Sequence, residues 1–126
     1  MIKVKEGVTF IFSAGGISIL EALKSNSRRL NEDLTITSGS DGDHSGLSDP
    51  HHFGNAYDVR SHDLDEVIKQ QFLANLNELL PKEKFYYYLE DRGEANEHFH
   101  IQVRKGMTFT IQDYLLARKE DSNGRC

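Results

Sequence analysis

The chain has a single cysteine, Cys126, so an internal disulfide framework and a cysteine-ligated metal site are both excluded. It has no apolar run long enough to cross a bilayer, which excludes membrane insertion as a helix. Basic residues are outnumbered, 15 Lys and Arg against 20 Asp and Glu, and the net charge of -5 argues against nucleic acid or an anionic membrane surface as the main partner. No internal repeat or interdomain linker is visible. One domain over residues 1–119 is expected, with a polar, frayed tail over 120–126. A chain of 126 residues buries about two thirds of the surface its unfolded form exposes, so it needs no staples.

What is present reads as an α+β pattern. Lys3 and Lys5 followed by Val8-Thr9-Phe10-Ile11-Phe12 imitate a signal peptide. Glu6 interrupts the basic part, however, Gly15-Gly16 break the apolar run and no small-residue cleavage site ends it, so a strand over residues 9–12 is expected instead. Ser18-x-x-Glu21 reads as the capping box of a helix with Leu20, Leu23 and Leu30 along its buried side. Residues 34–37 alternate as a strand. Asp63-x-x-Glu66 opens a helix that repeats Leu64, Val67, Ile68, Phe72 and Leu76 at helical spacing and stops at Pro81. Phe85-Tyr86-Tyr87-Tyr88-Leu89 reads as an aromatic strand whose tyrosines could stack on a ligand, with packing the favoured reading. Residues 108–119 suggest a short strand and a terminal helix. The expected architecture is an antiparallel sheet carrying a metal site on one face, with helices packed on the other.

Five of the six histidines, His44, His51, His52, His98 and His100, lie in or beside two clusters. In the first, His51-His52-Phe53-Gly54-Asn55-Ala56-Tyr57-Asp58, a straight strand would hold His51 and Asp58 about 23 Å apart and a helix roughly 10 Å apart. Bonds from zinc to nitrogen or oxygen are about 2 Å, so one ion between them requires a turn, which Gly54-Asn55 is best suited to make. After it, residues 56–60 read as a strand with Tyr57 and Val59 on one face and Asp58 and Arg60 on the other. In the second cluster, His98-Phe99-His100-Ile101-Gln102-Val103 alternates strictly, so a core strand presents two imidazoles on its polar face. Two histidines and one carboxylate leave a fourth tetrahedral position for water, the arrangement of catalytic zinc. Hydrolysis is the chemistry this implies.

The spacing His51-x-x-Gly54-x-Ala56-x-Asp58, followed by both Glu97-x-x-His100 and His98-x-His100, resembles the zinc D-Ala-D-Ala carboxypeptidases and the related peptidoglycan endopeptidases. That family includes L,D-endopeptidases and phage endolysins, and its fold is shared with the Hedgehog signalling domain. The likeness runs from Thr37 to Val103. It implies Zn2+ held by His51, Asp58 and His100, Glu97 as the base that takes a proton from the bound water, His98 as a neighbour that steadies charge, and a peptide of bacterial peptidoglycan as substrate.

Three departures shape the expectations. Asp49 stands where the family has a serine, and Thr37-Ser38-Gly39 is followed by Ser40 where the family has a substrate-holding arginine. Polarising the scissile carbonyl then falls to Arg60, His44 or His98, and with no arginine for a terminal carboxylate an endopeptidase is favoured over a carboxypeptidase. Hedgehog-like members place their glutamate at the end of the preceding strand, where this chain has Glu90, so Glu90 competes with Glu97 as the base and Glu94 is a third choice. By strand parity Glu97 falls on the face opposite His98 and His100. Two other classes remain open: a zinc-bearing binding module without catalysis, and a phage component that recognises cell wall. As a lysin the protein is expected to be made in the cytoplasm and to reach the wall after holin-type release or within a phage particle.

Overall fold

The alternation of residues 98–103 folds as the strand it predicts, and the rest of the chain is arranged around it. The computed structural model describes residues 1–40 and 54–119. In chain order the elements are β1 (Ile2–Val4), α1 (Ala14–Leu30), β2 (Leu34–Ser38), β3 (Ala56–Arg60), α2 (Glu66–Leu79), β4 (Phe85–Glu90), β5 (His98–Val103) and α3 (Ile111–Ala117). They build one small α+β domain around a five-stranded sheet in the order β1-β2-β3-β5-β4.

The sheet is mixed, which corrects the expectation of a purely antiparallel one. β1 pairs parallel with β2, because α1 lies between them and a helical crossover returns the chain in the direction it left. The pairings β2 with β3, β3 with β5 and β5 with β4 are antiparallel. Tyr57 and Val59 of β3 and Phe99 and Ile101 of β5 are fully buried on one face of the sheet. Phe72 of α2 stacks on Phe99 with ring centroids 4.2 Å apart, so that face is the helix-covered core. Burial of Val59, Phe99 and Ile101 stabilises the fold by roughly 2 kcal/mol each, whereas the buried Tyr57 hydroxyl has no hydrogen-bond partner among the described residues and offsets much of its gain. The third helix is tied to the first where the Ser25 hydroxyl donates to the Ala117 carbonyl at 2.8 Å.

The N-terminal third departs most from its sequence. Residues 9–12 form no strand; the short edge strand is β1 instead. The segment packs closely on the residues either side of 41–53. Ser40 donates its backbone N–H to the Thr9 carbonyl at 2.8 Å, and Phe10 lies 5.9 Å from the Tyr57 ring. Helix α1 starts at Ala14 with Ser13 as its cap, and Ser18 is a buried interior residue rather than the cap. Gly15 and Gly16 lie inside the helix, at positions where neighbours leave no room for a side chain: a Cβ on Gly16 would sit 2.0 Å from the Gly54 carbonyl oxygen. The Asp63 cap moves two residues on, to Asp65, whose carboxylate accepts from Ile68 N–H at 2.9 Å. Residues 108–110 form no strand and lead straight into α3, capped by Thr110 and Asp113.

Candidate metal and catalytic site

Strand register turns three separate sequences into one patterned surface. Asp58 of β3 pairs with His100 of β5, which pairs with Tyr88 of β4; two residues along, Arg60 pairs with His98, which pairs with Glu90. Residues directly opposite one another share a face of a sheet, so two polar rows cross the face away from the helices. A bulge in β2 extends the first row. Register shifts between Ile36 and Ser38, which brings Ser38 opposite Asp58.

The side chains of these rows converge. His100 Nδ1 lies 3.0 Å from Asp58 Oδ1, and its Nε2 lies 2.7 Å from Gln102 Oε1. His98 Nε2 lies 3.8 Å from the same Asp58 oxygen and 3.5 Å from Glu90 Oε1. Its other ring nitrogen, Nδ1, is 2.7 Å from the Asn96 carbonyl, which only accepts, so Nδ1 carries a proton and Nε2 faces the two carboxylates. Burial works against charge on His100, but the hydrogen bonds to Asp58 and Gln102 and the charges of Asp58 and Glu90 outweigh it, and its pKa is raised above the ordinary histidine value.

On β4 the tyrosines divide by parity. Tyr87 turns to the helices, where its hydroxyl donates to Asn77 Oδ1 at 2.7 Å, and it is the packing residue the sequence suggests. Tyr86 and Tyr88 join the polar face. Their rings stack 5.8 Å apart, Tyr88 lies 5.3 Å from the His100 ring, and the Arg104 guanidinium sits 5.4 Å above Tyr86. The Tyr88 hydroxyl donates to Glu90 Oε1 at 3.1 Å. Burial first, then that hydrogen bond and the nearby negative charges, push the Tyr88 pKa up to about 12, so the phenol keeps its proton at neutral pH.

Glu97 lines the same cleft as Asp58 and His98, but its carboxylate is turned to other partners. It is buried in contact with α2, with Oε1 2.6 Å from Lys69 Nζ and 2.7 Å from the Ser61 hydroxyl, and Oε2 accepting from Gly93 N–H at 2.9 Å. The Lys69 hydrogen bond above all, helped by those from Gly93 and Ser61, lowers its pKa to about 2. A carboxylate held this way is a poor proton acceptor. Glu94 is exposed in the β4–β5 loop.

Of the expected metal ligands, Asp58 and His100 are adjacent and hydrogen-bonded, while His51 lies outside the described residues, as does His44. Among the described residues alone, no group of three or more His, Cys, Asp or Glu side chains is placed to hold a metal ion. The donors that are present fit zinc: a carboxylate oxygen and an imidazole nitrogen, with Gln102 on the far nitrogen of His100 as the outer partner that orients a metal-binding imidazole. Gly54, at the expected turn, has φ +72° and is buried. Arg60 lines a cleft of about 330 Å3 with Ser38, Asp58, His62, Glu97 and His98.

Compared with known proteins, the chain matches no family model, no curated protein and no solved structure. The site therefore has to be argued from its own residues. Sequence reasoning misses Tyr86, Tyr88 and Ser38 as members of the polar face. Alternation along β4 separates Tyr87 from Tyr86 and Tyr88, but which face each set takes depends on the pairing register with β5, and Ser38 depends on a bulge that leaves no residue signature.

Proposed function

We propose that this chain is a zinc-dependent peptidase that hydrolyses peptide bonds of bacterial peptidoglycan, in the stem peptide or the cross-bridge. The observation that carries the reading is the convergence of Asp58, His98, His100 and Glu90 on the sheet face opposite the helices. One imidazole hydrogen-bonded to Asp58, and a second within 4 Å of both Asp58 and Glu90, suit a cation and a proton acceptor side by side. Asp58 and His100, together with His51, would hold the zinc. When bound, zinc supplies a Lewis acid that polarises a carbonyl and makes water more acidic.

The rest of the work falls to the chain's own side chains. Glu90 is the carboxylate facing the cluster, and it accepts the proton of the attacking water and returns it to the departing amine. It takes this role over Glu97, whose oxygens are committed to Lys69, Ser61 and Gly93. His98, fixed by the Asn96 carbonyl, sits between Asp58 and Glu90 and steadies charge as it moves. Arg60, at the open end of the second row, binds substrate in the adjoining cleft. The substrate class rests on the likeness of the motif spacing to that of peptidoglycan peptidases.

A second reading, a zinc-bearing module that binds cell wall without cutting it, is favoured because no arginine follows Thr37-Ser38-Gly39 and Asp49 stands where the family has a serine. Incubation with purified peptidoglycan separates the two. The peptidase releases new amino groups, stops with a chelator and resumes when zinc is restored. Binding to the wall without release of amino groups would select the module.

A further inference from the structure

We propose that Tyr88 is a catalytic residue of this site, the hydrogen-bond donor to the oxyanion that forms on the scissile carbonyl. The inference rests on the peptidase reading above and gives to Tyr88 a role for which the sequence offers Arg60, His44 and His98. Hydrolysis by water addition puts negative charge on the carbonyl oxygen, and a donor aimed at that oxygen is commonly worth a large part of the rate. No arginine follows Thr37-Ser38-Gly39 to supply it.

Four observations converge on Tyr88. It shares a row with Asp58 and His100, and its ring lies 5.3 Å from the imidazole. Its hydroxyl already lies among the reacting groups, 3.1 Å from Glu90 Oε1, whose other neighbour is His98 at 3.5 Å. The side chain is 40% exposed, so a substrate can reach it. The ring is also braced: Tyr86 stacks beneath it at 5.8 Å with planes 7° apart, Arg104 caps Tyr86, and Arg104 Nε is anchored on the Lys82 carbonyl at 2.6 Å. A braced donor needs little reorganisation when charge appears.

The placement of the hydroxyl on Glu90 couples the two roles. Water adds to the carbonyl carbon, its proton passes to Glu90, and the carbonyl π pair moves onto oxygen. As Glu90 is neutralised it becomes a weaker acceptor, at the moment the oxyanion becomes a strong one. The Tyr88 hydrogen bond then changes partner from Glu90 to the oxyanion. Collapse re-forms the C=O bond and breaks the C–N bond, and the proton on Glu90 goes to the leaving nitrogen.

The test compares Tyr88→Phe with the wild type in zinc-loaded, full-length protein, with Tyr87→Phe as the control on the helix side of the same strand. Two readouts are taken: steady-state hydrolysis of peptidoglycan stem peptides, and calorimetric binding of a phosphinate peptide that mimics the tetrahedral species. Tyr88→Phe is expected to lower kcat by about 100-fold, and to weaken phosphinate binding similarly, with KM and zinc content unchanged. Tyr87→Phe is expected to match the wild type in both. Wild-type kcat and phosphinate affinity in Tyr88→Phe, in a protein that cuts its substrate, would overturn the Tyr88 assignment alone. A zinc-loaded wild type that cuts nothing would overturn the peptidase reading and this assignment with it.

Discussion

Glu97 and Glu90 stand at the two ends of one loop and have different partners. Glu90 shares the polar face with His98, whereas Glu97 is clamped to Lys69 beneath it. Removing one member of a buried ion pair leaves the other uncompensated, so Glu97→Gln is expected to destabilise the fold by roughly 3 kcal/mol in urea titration while kcat is kept. Glu90→Gln is expected to do the reverse, losing roughly 100-fold in kcat at near wild-type stability. A stable but inactive Glu97→Gln would return the base to Glu97. Placing Glu90 beside His98 needs the β4–β5 register, although strand parity sets Glu97 apart from His98 and His100 in the sequence. The partner that commits Glu97 is not legible there, because Lys69 comes from α2 and meets it only through tertiary packing. For the same reason Asp58 and His100 are legible one at a time, each on the polar side of an alternating strand, while their 3.0 Å contact needs the β3–β5 register.

Elements with strong local periodicity are legible; those set by close packing are not. β2, β3, β5 and α2 follow from alternation and helical spacing, since their apolar residues have one face to bury. Residues 9–12 carry an equally strand-like composition, yet Ile11 and Phe12 are exposed and the segment instead runs against Gly39 and Gly54. Gly54 is the hinge of that arrangement. Its φ is +72° and a Cβ there would come within 1.8 Å of the Ile11 carbonyl oxygen. Gly93 has a similar φ of +81° with open space around it. Alanine at either position carries the backbone penalty, and only Gly54→Ala adds a collision with backbone, so it is expected to cost well over 1 kcal/mol, and clearly more than Gly93→Ala, in urea denaturation. Equal losses at the two sites would show that the close approach is unimportant.

At the scale of the whole molecule, two charge balances set the pH range of the fold. Glu97, with its pKa lowered from 4.5 to about 2, contributes stability that is complete above the unfolded value and is lost as pH falls through the folded one. Asp113 adds to this: burial opposes its charge, but hydrogen bonds to Lys84 and Thr110 prevail and lower its pKa. Tm is therefore expected to fall as pH drops below 4.5, and less steeply in Glu97→Gln. His100 acts in the other direction in zinc-free protein. Its raised pKa gives stability below the ordinary value of 6.5 that is lost as pH rises through the folded pKa. An unchanged acid limb in Glu97→Gln would contradict the buried pair.

All of these scales meet at the proposed zinc site. The most direct measurement is zinc per chain by elemental analysis of the purified protein, for the wild type and for His51→Ala, Asp58→Ala and His100→Ala. One zinc per wild-type chain, lost in each variant, is the expected result. A wild type without zinc, or zinc that survives all three substitutions, would contradict it.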